Sequence, residues 1–434
     1  MKAILLSTGD ELVLGQTIDT NSAWLSQQLA TIGIPVVAHI TVGDQQADIE
    51  QAILESVGRC DVLLVTGGIG PTEDDRTRHA LAEVLRAPLE LNETALFFLN
   101  QFFQRLNRPM PETNKIQAMI PHGVRLIENS AGTAAGMDAD YQSPDEKTIC
   151  RILVMPGVPK EMKQMFTNSI LLEMKKWAGE GVILSKTLHT FGLGESSIAE
   201  KLGELMARTR NPSVGTTVAN GIVSLRINSR YSTHEQAQQE LDITEQSCRD
   251  ALGELIFGAD DESLPSVVAD LLLKDSKSVT TAESCTGGLL AKMLTDISGS
   301  SAYFTQGWIA YANAAKHDRL GVPTEILNLY GAVSEPVVEH LAKNARRLAK
   351  ADFALAISGI AGPTGGTPAK PVGTVCICLA YTDPNAAPPD RVSQSNFTTR
   401  TFTFSGDREM IRDRSAKMAL TMLRFHLLKK QMPF

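Results

Sequence analysis

The chain has 434 residues, 43% hydrophobic and 21% charged, with a formal net charge of −8. This length predicts two or three domains, and the acidic balance argues against a general nucleic-acid or acidic-membrane surface, though not against a local phosphate pocket. No apolar run is long enough to span a membrane, and the six cysteines are scattered without a pairing pattern, so a reducing cytoplasm is the expected compartment.

The amino-terminal third of the chain alternates apolar strands with helices. Strands are predicted at residues 2–7, 35–42 and 61–65, and helices lie between them at residues 21–32 and 46–58. Strands that alternate with helices in this way predict a parallel sheet with right-handed crossovers.

A glycine-rich turn at residues 66–75 follows the third strand and ends in three consecutive acids, Glu73, Asp74 and Asp75. Glycines between a strand and a helix suit a phosphate or a pterin-type ligand, although one such turn is weak evidence. Adjacent carboxylates repel one another unless a metal or a substrate proton relieves them. A solvated acidic cap at a helix start explains the same residues equally well, so the residues alone leave both interpretations open.

Two further loops belong to this part of the chain. Residues 129–136 form a loop of small residues. A strand at residues 151–155 is followed by Pro159 and Glu161, which mark the start of a helix that runs to about residue 177.

Residues from about 178 to 260 predict a smaller α+β unit. Its predicted elements are a strand at 182–190, a helix at 195–206, a hairpin around Asn220 and Gly221, and a helix at 234–252. The loop at residues 191–196 could hold nucleic acid in a KH-like arrangement. The outward-facing Glu195, Glu200 and Glu204 have few compensating bases, so a structural spacer is favoured.

The stretch from residue 280 to residue 288 combines a strand end, a tight turn and the start of a helix. Ser284 lies on this turn, where unpaired N–H groups and the helix dipole favour an oxyanion or a phosphate. Gly287 and Gly288 let the backbone approach a ligand closely. Taken alone, the turn is more simply an N-cap before an ordinary helix. We expect the adjacent Cys285 to be a small residue packed behind the turn.

A lysine further along the chain is a candidate base. Residues 308–311 are a predicted strand, and Asn313 caps a helix that carries Lys316 in its first turns. A cation near the amino end of a helix is unfavourably placed for the helix dipole, and desolvation there lowers a lysine pKa. Serine needs a base beside it to act as a nucleophile, and a serine–lysine pair is a known solution.

Two more stretches are expected near this turn. Residues 358–373 are rich in glycine and proline and follow an apolar run, which predicts a stiff loop at the carboxyl end of a strand. A strand, a turn and a helix start follow at residues 402–412. Arg408 and Arg412 lie one helical turn apart on one face and suit an anion.

Together with residues 330–334, these stretches resemble the carboxyl-terminal domain of the CinA family, the nicotinamide-nucleotide amidohydrolases, over most of residues 262–430. The resemblance implies that Ser284 is the nucleophile, Lys316 its base and Tyr311 an assisting group. It implies hydrolysis of the carboxamide of nicotinamide mononucleotide to the acid and ammonia, with no cofactor. The candidate substrate-binding residues of this domain are Thr286, Gly287, Gly288, Gly359, Gly362, Arg408 and Arg412.

Residues 66–75, 129–133 and 156–162 resemble the molybdopterin-binding domain of molybdenum-cofactor biosynthesis proteins, in the version fused to the amino end of CinA. The resemblance implies hydrolysis of ADP-ribose with a divalent metal (Mg, Mn or Co) and potassium. The candidate metal or acid–base groups are Asp74, Asp75 and Glu161. The candidate substrate-binding residues are Thr66, Gly67, Gly68, Gly70, Asn129 and Thr133.

The expected fold class is α/β, with two α/β/α parallel-sheet domains at residues 1–177 and 261–434 joined by a small KH-like α+β domain at residues 178–260. We expect a cytoplasmic nicotinamide mononucleotide deamidase with a metal-dependent ADP-ribose pyrophosphatase or nucleotide-binding site in its first domain. The expected partners are pyridine nucleotides, ADP-ribose and a second copy of the chain, with no membrane and no nucleic acid.

Two alternatives belong to other functional classes. The protein could be a catalytically silent nucleotide sensor, or an adaptor for competence and DNA recombination. The acidic charge opposes the adaptor. Retention of Ser284, Tyr311 and Lys316 together favours the enzyme, because a sensor could lose its nucleophile freely.

Overall fold

The computed structural model describes residues 1–143, 149–177, 181–382 and 395–434. The chain folds into two compact units. The amino-terminal unit contains Met1–Ser185 and Asn228–Leu241, and the carboxyl-terminal unit contains Lys186–Ile227 and Asp242–Phe434. The three-domain division stays a prediction, and Ala178, its first expected boundary, lies outside the described residues.

The amino-terminal unit is built around a six-stranded sheet with a separate two-stranded ladder. The strands are β1 (Ala3–Thr8), β2 (Val36–Val42), β3 (Val62–Thr66), β4 (Leu89–Leu91), β5 (Met119–Pro121), β6 (Arg125–Ile127), β7 (Gly136–Gln142) and β8 (Ile149–Met155). The helices are α1 (Asp10–Val13), α2 (Thr20–Thr31), α3 (Gln46–Val57), α4 (Thr77–Leu85), α5 (Glu93–Arg105), α6 (Pro159–Met165) and α7 (Leu171–Trp177).

The six-stranded sheet has the order β2-β1-β3-β8-β7-β6. The first four strands are parallel, and β7 and β6 continue the sheet in antiparallel pairing. Every residue of β1 and β3 is buried, because separate apolar clusters cover the two faces of the sheet. The carboxyl ends of β1, β3 and β8 therefore lie along one edge, where the predicted glycine-rich turn follows β3.

The carboxyl-terminal unit holds most of a four-stranded sheet and all of a five-stranded one. The strands are β9 (Val182–Phe191), β10 (Ser213–Ala219), β11 (Ile222–Tyr231), β12 (Ile256–Ala259), β13 (Val279–Glu283), β14 (Gly307–Ile309), β15 (Phe353–Gly359), β16 (Thr374–Thr382) and β17 (Ser395–Thr403). The helices are α8 (Glu195–Leu202), α9 (His234–Leu252), α10 (Leu264–Lys274), α11 (Leu289–Thr295), α12 (Asn313–Leu320), α13 (Thr324–Tyr330), α14 (Glu335–Ala349) and α15 (Arg408–Leu427).

The five-stranded sheet has the order β14-β13-β15-β16-β17. Strands β14, β13 and β15 are parallel, whereas β16 and β17 are antiparallel to their neighbours. The expected α/β class is confirmed, but both large sheets are mixed. In this sheet no helix lies between β15 and β16, so the chain has no crossover with which to return in parallel. The carboxyl ends of the three parallel strands meet at one edge, which positions the turns that follow them.

Helix α15 packs against residues 186–227 and 242–260, which we call the middle segment. We call residues 261–434 the last domain. The helix is buried continuously from Ser415 to Phe425. The Arg424 guanidinium donates to the carbonyl oxygens of Glu254 at 2.7 Å and Ile256 at 2.9 Å. Phe191 and Phe257 of the middle segment belong to the same apolar cluster as this helix. The middle segment and the last domain therefore share one core.

Candidate active site

Ser284 occupies the turn between β13 and α11, as the sequence predicts. Its backbone N–H donates to the Ile357 carbonyl of the neighbouring strand at 2.9 Å, and the residue is only 8% exposed. Gly287 and Gly288 both have left-handed φ angles, 61° and 94°, which favour glycine. The chain can therefore turn directly from the end of β13 into α11 with the serine at the bend.

The Lys316 amine lies beside this serine. Its Nζ is 3.1 Å from Ser284 Oγ, and it donates to the carbonyl oxygens of Ala310 at 3.0 Å and Tyr311 at 2.8 Å. Parallel pairing of β13 with β14 brings the two segments together, since α12 begins just after β14. Lys316 is 1% exposed. The structure thus unites the two residues that were predicted to form the catalytic pair.

Burial lowers the pKa of Lys316 from its ordinary value of 10.5. The amine forms no ion pair with a carboxylate of the described residues that would offset this cost. A neutral amine has two N–H groups, which match the two carbonyl acceptors, and one lone pair, which can face the serine hydroxyl. The geometry therefore suits a lysine that accepts a proton from Ser284.

The buried carboxylate of Glu283 fills the amino end of α11. It accepts the backbone N–H groups of Gly288 at 2.9 Å, Leu290 at 3.1 Å and Ala291 at 2.8 Å. The expectation that this helix start faces an oxyanion or a phosphate is therefore wrong for these N–H groups, because a side chain already occupies them. Sequence reasoning missed Glu283, whose only signal was an acid at the strand-to-helix junction.

Other donors beside Ser284 have no oxygen acceptor. The backbone N–H groups of Cys285 and Thr286 donate to no oxygen within the described residues. The Thr286 hydroxyl is buried and has no hydrogen-bond partner in this part of the chain. Two N–H groups next to a nucleophile form the usual arrangement of an oxyanion hole. On the turn, these two N–H groups lie within reach of the Cys285 thiol, which is a weak acceptor.

Cys285 packs behind the turn, as expected. Burial raises the pKa of its thiol to about 11, so the thiol is protonated near neutral pH. A side chain on Gly359, at the end of β15, would come within 3.1 Å of the Cys285 sulfur and 2.6 Å of Val375. Gly359 therefore permits close packing against the turn.

Arg408 and Arg412 both reach the site from the start of α15. Arg412 donates to the carbonyl oxygens of Cys285 at 3.1 Å and Thr286 at 2.7 Å. Arg408 donates to the Gly362 carbonyl at 2.8 Å and to the Tyr311 hydroxyl at 3.0 Å. The two arginines thus join the serine turn, the glycine-rich loop and Tyr311. The Tyr311 hydroxyl contacts Arg408, and its side chain is 57% exposed, so its assisting role stays a prediction.

A separate cavity of about 570 Å³ lies in the amino-terminal unit. It contains all but one of the residues predicted for this unit; Asn129 does not line it but donates to Glu161 at 2.7 Å. The predicted residues in its wall are Thr66, Gly67, Gly68, Gly70, Asp74, Asp75, Thr133 and Glu161. The three loops predicted to hold a ligand therefore meet at one place.

The carboxylates predicted to bind a metal do not form a metal site among the described residues. Asp75 accepts hydrogen bonds from the Gly70 N–H at 2.7 Å and from the N–H and hydroxyl of Thr72 at 2.9 and 2.5 Å. Its oxygens therefore hold the glycine-rich turn in shape. These residues do not fit a metal in this arrangement, so no step is assigned to one, and the metal and potassium stay predictions.

The wall of this cavity also contains polar residues that sequence reasoning did not single out. Asn21 donates to the Gly157 carbonyl at 2.8 Å, and its Oδ1 is buried without a partner within the described residues. Burial raises the pKa of Asp44, the hydrogen bond from the Asp10 N–H lowers it, and the charges of the neighbouring acids, including Asp74, raise it. The signal for Asn21 was its place at the start of α2, where a helix cap is the simpler interpretation.

Comparison with known proteins identifies the family. Residues 261–427 match the CinA C-terminal domain, residues 4–176 the probable molybdopterin binding domain, and residues 185–258 the damage-inducible protein CinA KH domain. A putative competence-damage inducible protein of Symbiobacterium thermophilum is 39% identical over 99% of both chains. The chain belongs to the CinA family.

Other CinA relatives match all or part of the chain. A CinA-like protein of Kosmotoga olearia is 38% identical over 99% of both chains. A crystal structure of a CinA superfamily protein from Klebsiella pneumoniae is 34% identical, covers 38% of this chain and 96% of its own, and has a TM-score of 0.35. Within the described residues of this CinA chain, no helix has the length and apolar character that crossing a bilayer requires.

The hydrogen bonds of Glu283 predict a local stability effect. Glu283→Gln keeps the size of the side chain but removes the charge and one acceptor oxygen. We therefore expect the free energy of local opening of α11 to fall by about 1.5–3 kcal/mol. Hydrogen exchange of peptides that cover residues 284–295 should then be roughly 10–100-fold faster. Glu325→Gln, at an exposed position of α13, is the matched control. Equal exchange in the two variants would contradict the role of Glu283.

Proposed function

We propose that the carboxyl-terminal unit hydrolyses the carboxamide of nicotinamide mononucleotide to nicotinate mononucleotide and ammonia. The observation that carries the proposal is the 3.1 Å contact between Lys316 Nζ and Ser284 Oγ. The resemblance to the nicotinamide-nucleotide amidohydrolases supplies the substrate, and membership of the CinA family agrees with it.

The proposed reaction has two steps. Ser284 Oγ attacks the carboxamide carbon and gives its proton to the neutral Lys316 amine. The oxyanion faces the N–H groups of Cys285 and Thr286. Lys316 then protonates the departing amine, which leaves as ammonia, and an ester to Ser284 remains. A water molecule attacks this ester, gives a proton to Lys316, and Lys316 returns a proton to the Ser284 oxygen.

The proposed substrate position follows from the donors around the turn. Gly287 and Gly288 keep the turn beside the serine free of side chains, and the binding roles of Thr286, Gly287, Gly288, Gly359 and Gly362 stay predictions. Arg408 and Arg412 each use only part of their five N–H donors on carbonyl and hydroxyl oxygens. Their remaining donors suit the phosphate of a nucleotide.

The alternative of a silent nucleotide sensor has weaker support. A buried amine without a carboxylate partner costs stability, and a sensor has no need of one beside a serine. The adaptor hypothesis has less support still, because the chain is acidic and Glu195, on the loop that could face nucleic acid, accepts a hydrogen bond from Thr216.

Substitution at the serine and the lysine tests the deamidase directly. Ammonia release from nicotinamide mononucleotide should fall at least about 1,000-fold in Ser284→Ala and in Lys316→Arg, since a guanidinium cannot act as the base. Lys292→Arg, at an exposed position of α11, should retain full turnover. If Lys316→Arg kept a tenth or more of kcat and changed mainly KM, the lysine would bind substrate rather than act as the base.

We further propose that the amino-terminal cavity binds ADP-ribose; its metal-dependent hydrolysis stays a prediction of the sequence. The support is the meeting of the three predicted loops around one cavity, and the buried, unpartnered Oδ1 of Asn21 in its wall. A homodimer and a cytoplasmic location remain predictions of the sequence.

The bonds of Asp75 predict how this cavity responds to substitution. Asp75→Asn cannot accept the same three donors, so the glycine-rich turn should loosen and the Kd for ADP-ribose should rise at least about tenfold. Titration calorimetry with ADP-ribose, in the presence of magnesium and potassium, measures this Kd. Asp48→Asn, at an exposed position of α3, is the control. Equal affinity in both variants would contradict a role for Asp75 in shaping the cavity, and ammonia release should be normal in both.

A further inference from the structure

A second cavity of about 570 Å³ lies next to the serine site, within the carboxyl-terminal unit. Part of its wall is the start of α15, including Arg408, Arg412 and Arg414, and part is Leu289 at the start of α11. The remaining wall is Asn220, at the tip of the hairpin formed by β10 and β11. The middle segment therefore borders a cavity that shares two arginines with the serine site.

The hairpin tip is held in place by a buried cation. The Lys417 amine donates to the Asn220 carbonyl at 2.9 Å and to the Asp413 carboxylate at 2.7 Å, and Lys417 is only 9% exposed. Asn220 and Gly221 have left-handed φ angles of 50° and 76°, which suit a two-residue hairpin turn. The tip is thus fixed against α15 by its backbone, while the Asn220 side-chain amide makes no hydrogen bond within the described residues.

The cavity wall contains three arginines and three acids, Asp407, Glu409 and Asp413, and its open donors suit an anion. Asp407 accepts the Met410 N–H as the cap of α15, and Asp413 is paired with Lys417. Arg414 donates through Nη1 alone, to the carbonyl and hydroxyl of Ser405, and its Nε and Nη2 have no acceptor within the described residues. Two of the three acids are therefore engaged and Glu409 is exposed to solvent, whereas guanidinium donors remain open. A phosphate can accept several such donors at once.

We propose that Asn220 and Arg414 form a phosphate subsite of the amidase pocket, so that the middle segment takes part in recognising the substrate. The inference rests on the proposed function. In a pyridine mononucleotide the carboxamide and the phosphate lie at opposite ends of the molecule. With the carboxamide at Ser284, the phosphate points past Arg408 and Arg412 toward this cavity. The subsite selects a phosphomonoester of a pyridine nucleoside over the nucleoside itself.

Calorimetry with full-length Ser284→Ala protein tests the subsite without turnover. Nicotinamide mononucleotide should bind at least about tenfold more tightly than nicotinamide riboside, which lacks the phosphate. Asn220→Asp keeps the shape of the turn but adds a negative charge, and should remove most of this difference. Arg414→Ala should weaken the binding of the mononucleotide at least about fivefold relative to the binding of the riboside. Asn220→Gly, which tolerates the left-handed φ, should give an intermediate loss.

A matched control separates the subsite from a general charge effect. Asn328→Asp places the same charge at an exposed position of α13, and should leave the ratio of the two Kd values unchanged. Equal ratios in Asn220→Asp and Asn328→Asp would overturn the subsite, as would failure of the mononucleotide to bind the Ser284→Ala protein.

The subsite and the deamidase can fail separately. Ammonia release by the wild-type protein reports on the deamidase alone. Binding that depends on Asn220 in a protein that releases no ammonia would overturn the deamidase and support the subsite. Ammonia release together with binding that is indifferent to Asn220 and Arg414 would support the deamidase and overturn the subsite.

Discussion

The site in the carboxyl-terminal unit depends on one contact, between the buried amine of Lys316 and the hydroxyl of Ser284. Enclosing an amine without a carboxylate partner is costly, and here two backbone carbonyl groups and the serine are its only hydrogen-bond partners among the described residues. The same burial lowers the pKa of the amine. The arrangement that reduces stability is thus the one that makes lysine usable as a base.

A second buried polar side chain complements Lys316. Glu283 satisfies the N–H groups at the start of α11, and Lys316 satisfies carbonyl groups at the end of β14 and just beyond it. Ser284 lies between these two residues along the chain. Because both side chains are hydrogen-bonded to backbone, neither can move without leaving buried polar groups unpaired. We infer that this pair of restraints keeps the serine and lysine atoms at reacting distance.

Much of this site could be predicted from the sequence, because parallel strands bring their carboxyl ends to one edge. Ser284 follows β13 and Lys316 follows β14, so a correct strand assignment was enough to place them together. The role of Glu283 could not be predicted, since it depends on how the side chain turns back onto a helix that begins several residues later. The burial of α15 was equally hidden, because the middle segment that covers it lies far away in the sequence.

The central claim is that burial lowers the pKa of the Lys316 amine and so makes it usable as a base, and its titration can be observed directly. NMR of protein labelled with ¹³C at the lysine ε-carbons, with Lys316→Met used to assign the signal, gives the pKa of this amine. The expected result is a titration below the ordinary value of 10.5. A Lys316 signal that titrates at or above that value would contradict the claim, because the amine would then be protonated and unable to take the proton of Ser284.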